Sequence, residues 1–412
     1  MKKLILFSLL TPLGFAPLAA QDHGPHTFTK LSLSDRFFAE GIAVGDLDRD
    51  GAVDVVAGPY WYAGPAFEKR HMIYPAAEFD PEEYSDNFFA HTYDFNGDGW
   101  SDILVIGFPG EDARWYENPR GKEGAWKVHK VFQGIGNESP AWADLTGDGR
   151  PEIVAVSDSS FGYIEPDWND AARPWTLHRI TPREGWQRFT HGLGVGDMNG
   201  DGRMDVLEKD GWWEQPTSLA GDPLWRKHAH DFGDGGAQMF AYDVDADGDQ
   251  DVVTGLMAHG YGLAWFEQVR RDDAVEFVRH LIINEKPEEN RYGVAFSQLH
   301  ALALVDMDGD GIRDIVTGKR RWAHGTHGDA EPNAPPVIYW FRIVRLGAGK
   351  GVDFVPHLID DDSGVGVQVI VADVNGDGLP DVLSSNKKGT FILLHRLQAE
   401  QSSSPPRSDR VP

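Results

Sequence analysis

One nine-residue pattern, D-x-[DNT]-x-D-G-x-x-[DE], occurs seven times along this 412-residue chain and leaves little freedom in how the chain can fold. The copies are Asp46, Asp48, Asp50 and Asp54; Asp94, Asn96, Asp98 and Asp102; Asp144, Thr146, Asp148 and Glu152; Asp197, Asn199, Asp201 and Asp205; Asp243, Asp245, Asp247 and Asp251; Asp306, Asp308, Asp310 and Asp314; and Asp373, Asn375, Asp377 and Asp381. Side-chain oxygens at positions one, three and five, a Gly at six for the sharp turn and a carboxylate at nine suit Ca²⁺, a hard cation that takes roughly six to eight oxygens. A Glu at position twelve is not part of the pattern, and β-branched runs such as Val53-Asp54-Val55-Val56 and Asp314-Ile315-Val316 follow the turns. The turns are therefore expected to join strands, not the helices of an EF-hand. The third copy, with Thr146 and Glu152, departs most and is expected to bind most weakly.

The turns account for much of the acidity. Asp and Glu number 65 against 38 Lys and Arg, a formal charge of -27. Such an excess argues against nucleic-acid binding, which rests on neutralising phosphates. The absence of Cys excludes disulfides, thiolate metal sites and Cys nucleophiles. Lys2 and Lys3, the apolar run Leu4 to Leu10 and the small residues Ala19 and Ala20 have the order of a signal peptide. The expected mature protein is secreted or periplasmic, with no membrane span. Residues 21–398 are expected to form one domain, and the Ser- and Pro-rich residues 399–412 a disordered tail.

Successive copies start 46 to 67 residues apart, room for four short strands and their loops, which is the size of a propeller blade. Aromatics keep the same phase: Trp61-Tyr62, Trp115-Tyr116, Tyr163, Trp212-Trp213, Trp265-Phe266 and Trp340-Phe341. An aromatic-x-x-His follows in Trp126/His129, Trp175/His178, Trp225/His228, Phe277/His280 and Phe354/His357, and His71 holds the same phase alone. Naming the strands A to D, the acidic turn joins A to B, the aromatic pair lies on C and the His on D. The seventh repeat lacks a D strand, and Thr27 to Leu33 offers one, closing the ring and removing its sheet edges.

On these motifs residues 26–398 resemble the FG-GAP/VCBS-repeat family of seven-bladed propellers, to which integrin α-subunit heads also belong. The resemblance implies an all-β, seven-bladed β-propeller with up to seven structural Ca²⁺ ions at the A–B turns. It implies no single function, since the scaffold serves adhesion, scaffolding and catalysis.

In that topology the long, irregular connections lie on the face opposite the acidic turns. Six residues before each first Asp the chain holds Glu40, Phe88, Glu138, His191, Ala237, His300 and Val367, which should ring one mouth of the central channel. Two Glu and two His there suit acid–base chemistry or a second divalent metal. Tyr60, Asn87, Arg188, His259, Tyr261, Arg291, Tyr292, Lys319 and Arg320 fall in or near the same loops, a set able to bind a carbohydrate or an anionic small molecule. The segment Gln298-Leu299-His300-Ala301-Leu302 resembles the propeller part of the aldos-2-ulose dehydratases, which implies elimination chemistry on sugars without assigning residues.

The leading expectation is a carbohydrate-directed lyase or dehydratase acting on a keto-sugar or uronate. His300 or His191 would be the base, Tyr292 or the other His the acid, and Arg291, Lys319 or a metal the charge stabiliser. The alternative is a glycan- or protein-binding module without catalysis. A glycosidase would need Glu40 and Glu138 as its carboxylate pair.

Overall fold

Each acidic turn connects two antiparallel strands, as Asp46–Asp54 does between Ala43–Gly45 and Asp54–Ala57. The computed structural model describes residues 26–271, 274–347 and 350–397. The expected signal peptide and the tail from 399 lie outside these residues. The described residues form six antiparallel sheets, five of four strands and one of seven. The seven-stranded sheet is two four-strand units sharing the long strand Lys127–Ala143. Lys127 to Ile135 pair with Glu111–Glu117, and Gly136 to Ala143 pair with Glu152–Ser157. That fusion was not foreseen from the sequence. Among the described residues one short helical turn, Pro287–Glu289, interrupts the strands, and no helix is long and apolar enough to cross a membrane.

His26–Ser34 pairs antiparallel with Gly389–Leu397, so the strand ahead of the first repeat completes the sheet of the last. His26 Nδ1 lies 2.8 Å from His395 Nε2, and the His26 ring meets Trp340 edge-on. Most inner strands touch their successors in chain order, and the last, Val369–Ala372, returns to the first, Ala43–Gly45. Close approach explains their small residues: a Cβ on Gly194 would fall 2.1 Å from Met239 O. Apolar side chains fill the spaces between neighbouring four-strand units, as where Leu104 and Trp115 meet Ile153, Ile164 and Trp175 across the two units of the seven-stranded sheet.

The ninth-position carboxylates are buried staples. One oxygen accepts the N–H two residues into the turn, for example Leu47 N to Asp54 at 2.8 Å and Met198 N to Asp205 at 2.9 Å. In six copies the other accepts an N–H from the later part of the C strand or just beyond it, such as Ile343 N to Asp314 at 2.8 Å, Gly64 N to Asp54 at 2.9 Å and Gln215 N to Asp205 at 2.8 Å. Burial pushes these carboxyls up, to about 7 at Asp102, Asp205 and Asp251, against the lowering by those backbone donors. In the third copy Glu152 instead takes the Thr146 hydroxyl at 3.2 Å, so its two unusual residues compensate one another. Ligand-capable oxygens converge in Asp46, Asp48 and Asp50, in Asp144, Asp148 and Glu152, and in Asp243, Asp245 and Asp251. The copy expected to be weakest is among them.

The D-strand histidines are packing residues. Each stacks on its C-strand aromatic: His71 on Trp61, His129 on Trp115, His178 on Tyr163, His228 on Trp212, His280 on Trp265 and His357 on Trp340, at 3.9 to 4.7 Å between centroids. In four of these pairs a Glu further along the C strand, Glu117, Glu165, Glu214 or Glu267, lies 2.7 to 3.2 Å from the imidazole.

Candidate functional site

Two glutamines, each one residue after an expected mouth position, bridge the inner strands. Gln368 Oε1 accepts Ile42 N and Ala90 N, both at 3.1 Å, and its Nε2 donates to Ala90 O. Gln238 Nε2 donates across to Val367 O at 3.1 Å and its Oε1 accepts Leu302 N at 2.8 Å. Both amides are thus spent on backbone groups, just inside the strand ends.

There the ring positions converge as the alignment implies. Arg320, 1% exposed, is ion-paired with the fully buried Glu40, and its Nη1 lies 3.8 Å from Glu138. Phe88, another ring position, lies 5.7 Å from the guanidinium, and Tyr84 5.9 Å. Glu138 Oε1 is 3.9 Å from His191 Nε2, which is 3.0 Å from His259 Nε2. The His300 ring lies 4.7 Å from that of His259 and 5.7 Å from that of His191. Behind them, Asp329 accepts His324 Nδ1 at 2.9 Å and His324 N at 2.8 Å, and lies 3.3 Å from His259 Nδ1.

Burial and neighbouring cations set the charge states. His191 is lowered to about 3, first by burial and then by His259 and Arg320, and His300 is lowered well below its ordinary value for the same reasons. Both are neutral near pH 7 and offer lone pairs. Glu138 is raised because burial outweighs the attraction of Arg320, while hydrogen bonds hold Asp329 below the usual carboxylate range against its burial.

His191, His259 and His300 place one ring nitrogen each within 4.8 Å of one another, as do His259, His324 and Asp329 with their own ligand atoms. His300 Nε2 is buried without a hydrogen-bond partner. Three converging imidazoles, one with an orphaned nitrogen, fit a divalent transition metal. A carboxylate behind His259 fits the usual outer support of a metal-binding imidazole.

The remaining expected residues are placed differently. Arg291 and Tyr292 do not join the histidines: both engage Asp353 on the outer strand Val352–Asp360, with Tyr292 Oη donating at 2.7 Å, and Tyr292 is exposed. Their loop runs outward along its own sheet, so proximity in sequence to His300 misleads. Glu40 is 0% exposed and tied to Arg320, which removes it from direct contact with a ligand and removes the glycosidase carboxylate pair. Lys319 is fully buried, lowered to about 8 by burial, with Nζ 2.5 Å from Ser297 Oγ. Asn87 accepts Glu40 N and Gly41 N on its backbone oxygen, both at 3.0 Å, and so positions Glu40. Tyr60 carries Arg70 over its ring, Arg188 lies over Phe189, and burial and Glu331 raise Tyr261 to about 12.

The alignment passed over four contributors, Tyr84, His324, Asp329 and Lys387. Tyr84 Oη donates to Ala323 O at 2.6 Å, tying the 75–89 loop to the 319–336 loop above Arg320. Lys387 Nζ is buried without a hydrogen-bond partner, 4.6 Å from the Tyr84 ring, and burial lowers the amine to about 8. The signal for His324 and Asp329 was the length of their loop.

Two stretches, residues 94–155 and 306–384, match the family model of the FG-GAP-like repeat. No curated protein sequence matches the chain. Among solved structures, the rhamnogalacturonan lyase YesW is similar over 92% of this chain and 74% of its own, with 14% identity and a TM-score of 0.43. Residues 94–155 and 306–384, which hold four of the seven acidic turns, are thus similar to FG-GAP-like repeats.

Proposed function

We propose that this chain is a seven-bladed propeller, stapled by Ca²⁺ at its acidic turns, whose opposite mouth is the site of a carbohydrate-directed carbon–oxygen lyase or dehydratase. The observation that carries this reading is the meeting of Glu138, His191, His259, His300 and Arg320 at one end of the inner strands. Elimination beside a carbonyl or carboxylate needs a base for the acidified C–H, positive charge for the enolate and a proton for the leaving oxygen.

Glu138 is the base: it retains some exposure, its carboxyl is raised, and Arg320 fixes its position. As it takes the proton, the C–H electron pair forms the new double bond and the C–O bond breaks. His324, half exposed and hydrogen-bonded to Asp329, gives a proton to the departing oxygen. His191, His259 and His300 would hold a divalent metal, which when bound supplies a Lewis acid for the carbonyl. Buried Glu40 keeps Arg320 in place, and its contribution is one of position.

The test is incubation with a panel of keto-sugars and uronate polysaccharides, following absorbance of an unsaturated product. Glu138→Gln should lower kcat by about 10² to 10⁴ with KM little changed. Glycan binding with no product from any substrate would instead support a binding module.

A further inference from the structure

A second feature adjoins the histidine mouth. A groove of about 540 Å³ opens beside His191 and is lined by Trp186, Phe189, Thr190, Lys209, Asp210 and Asp234, among others. Its volume lies within the usual span of small-molecule sites, roughly 300 to 1,000 Å³. Phe189 is a large apolar side chain left 40% exposed on the loop, in contact with Phe108 on one edge and beneath the Arg188 guanidinium. Trp186 packs edge-on against Phe161 and has the Lys227 ammonium 5.5 Å from its ring.

The groove and the mouth are joined through the backbone. Arg188 O accepts Asn137 N at 2.8 Å, and Thr190 O accepts Glu138 N at 2.9 Å. The loop carrying the aromatics is thus strapped to the backbone of the proposed base. A ligand on Trp186 and Phe189 is held in register with the Glu138 carboxylate.

The charges of the groove select its occupant. Lys209 lies 2.8 Å from Asp210, and Lys227 lies 2.8 Å from the buried Glu208. Both lysines of the lining are paired to carboxylates and Glu184 and Asp234 add negative charge, so the wall of the groove disfavours an anion, while Arg188 lies over Phe189 outside that lining. It offers aromatic surface and a mixture of donors and acceptors instead, the chemistry that receives a pyranose ring and its hydroxyls.

We infer that this groove is a subsite for a neutral sugar unit joined to the unit held at the histidine mouth, so that the ligand is a disaccharide, oligosaccharide or glycoside and not a free monosaccharide. The inference rests on reading the mouth as a carbohydrate site. It adds length and the neutrality of the second unit.

The experiment is binding of the whole chain to an array of mono- to hexasaccharides, followed by calorimetry on the best oligosaccharide and its component monosaccharide. The oligosaccharide should bind at least about tenfold more tightly, and Phe189→Ala or Trp186→Ala should remove that advantage. Phe189 is exposed, so its variant keeps the test sound if Trp186→Ala fails to fold. Affinity independent of length, a Phe189→Ala variant that keeps the full advantage, or no glycan bound at all would overturn the proposal. Length-dependent binding without any eliminated product sinks the lyase reading and leaves the groove. Product formed from monosaccharides with a KM unchanged by added units sinks the groove and leaves the lyase.

Discussion

Replacing Arg320 with methionine removes the guanidinium that Glu40 and Glu138 share and leaves a carboxylate that is 0% exposed without its ion pair. Breaking a buried pair in this way costs about 3 to 5 kcal/mol, because the remaining charge is neither hydrated nor paired. Unfolding entropy of about 2.1 cal/mol/K per residue means that, for a domain of this size, 1 kcal/mol moves the midpoint by little more than about 1 °C. Scanning calorimetry should therefore place Arg320→Met about 4 to 7 °C below wild type. The double variant Glu40→Gln/Arg320→Met should recover at least half of that loss, since exchanging both partners leaves no orphan charge. A single-variant shift under about 1 °C, or a double variant no better than the single, would show that the pair is not what holds this mouth together. In the single variant Glu138 also loses its lowering neighbour, so any activity should require a higher pH than in wild type.

Other outcomes follow from the same geometry. Gln238→Leu leaves Leu302 N and Val367 O without their partner and should cost about 1 to 3 kcal/mol in urea unfolding, whereas a change on an exposed strand should cost little. Chelation of divalent cations should lower the thermal midpoint, and adding Ca²⁺ to about a hundredfold over its dissociation constant should return about 2.7 kcal/mol per site; a midpoint indifferent to Ca²⁺ would refute the staples. Burial lowers His91 to about 4 from 6.5, with Nε2 buried and unpartnered. The folded state therefore resists the proton, and stability present above about pH 6.5 falls as the pH drops toward 4, by up to about 1.4 kcal/mol per unit. His91→Phe should flatten that part of the urea profile, and an unchanged slope would assign the acid sensitivity elsewhere.

The sequence exposed those parts of the molecule that repeat. Seven acidic turns fix where strands begin, and counting back six residues finds Glu40, Glu138 and His191 because every inner strand delivers that position to the same end. His300 came from the same count, and His259 and Arg320 from their loops. What the repeat does not govern was hidden. Arg291 and Tyr292 sit close to His300 in the chain, yet their loop turns outward to Asp353. Asp329 reaches His259 only through a loop whose path no periodicity encodes. The burial of Glu40 was equally illegible, since it depends on Arg320, 280 positions away, arriving beside it.

The strand His26–Ser34 bonds along its length to Gly389–Leu397. A pairing of such extreme sequence separation contributes nothing until nearly the whole polypeptide is present, and entropy disfavours it until neighbouring sheets have docked. Its formation should be the late kinetic event that locks the assembly. Before then Gly389–Leu397 presents a bare hydrogen-bonding flank, so a fragment ending short of residue 397, or beginning after Ser34, is the form most exposed to strand exchange and aggregation.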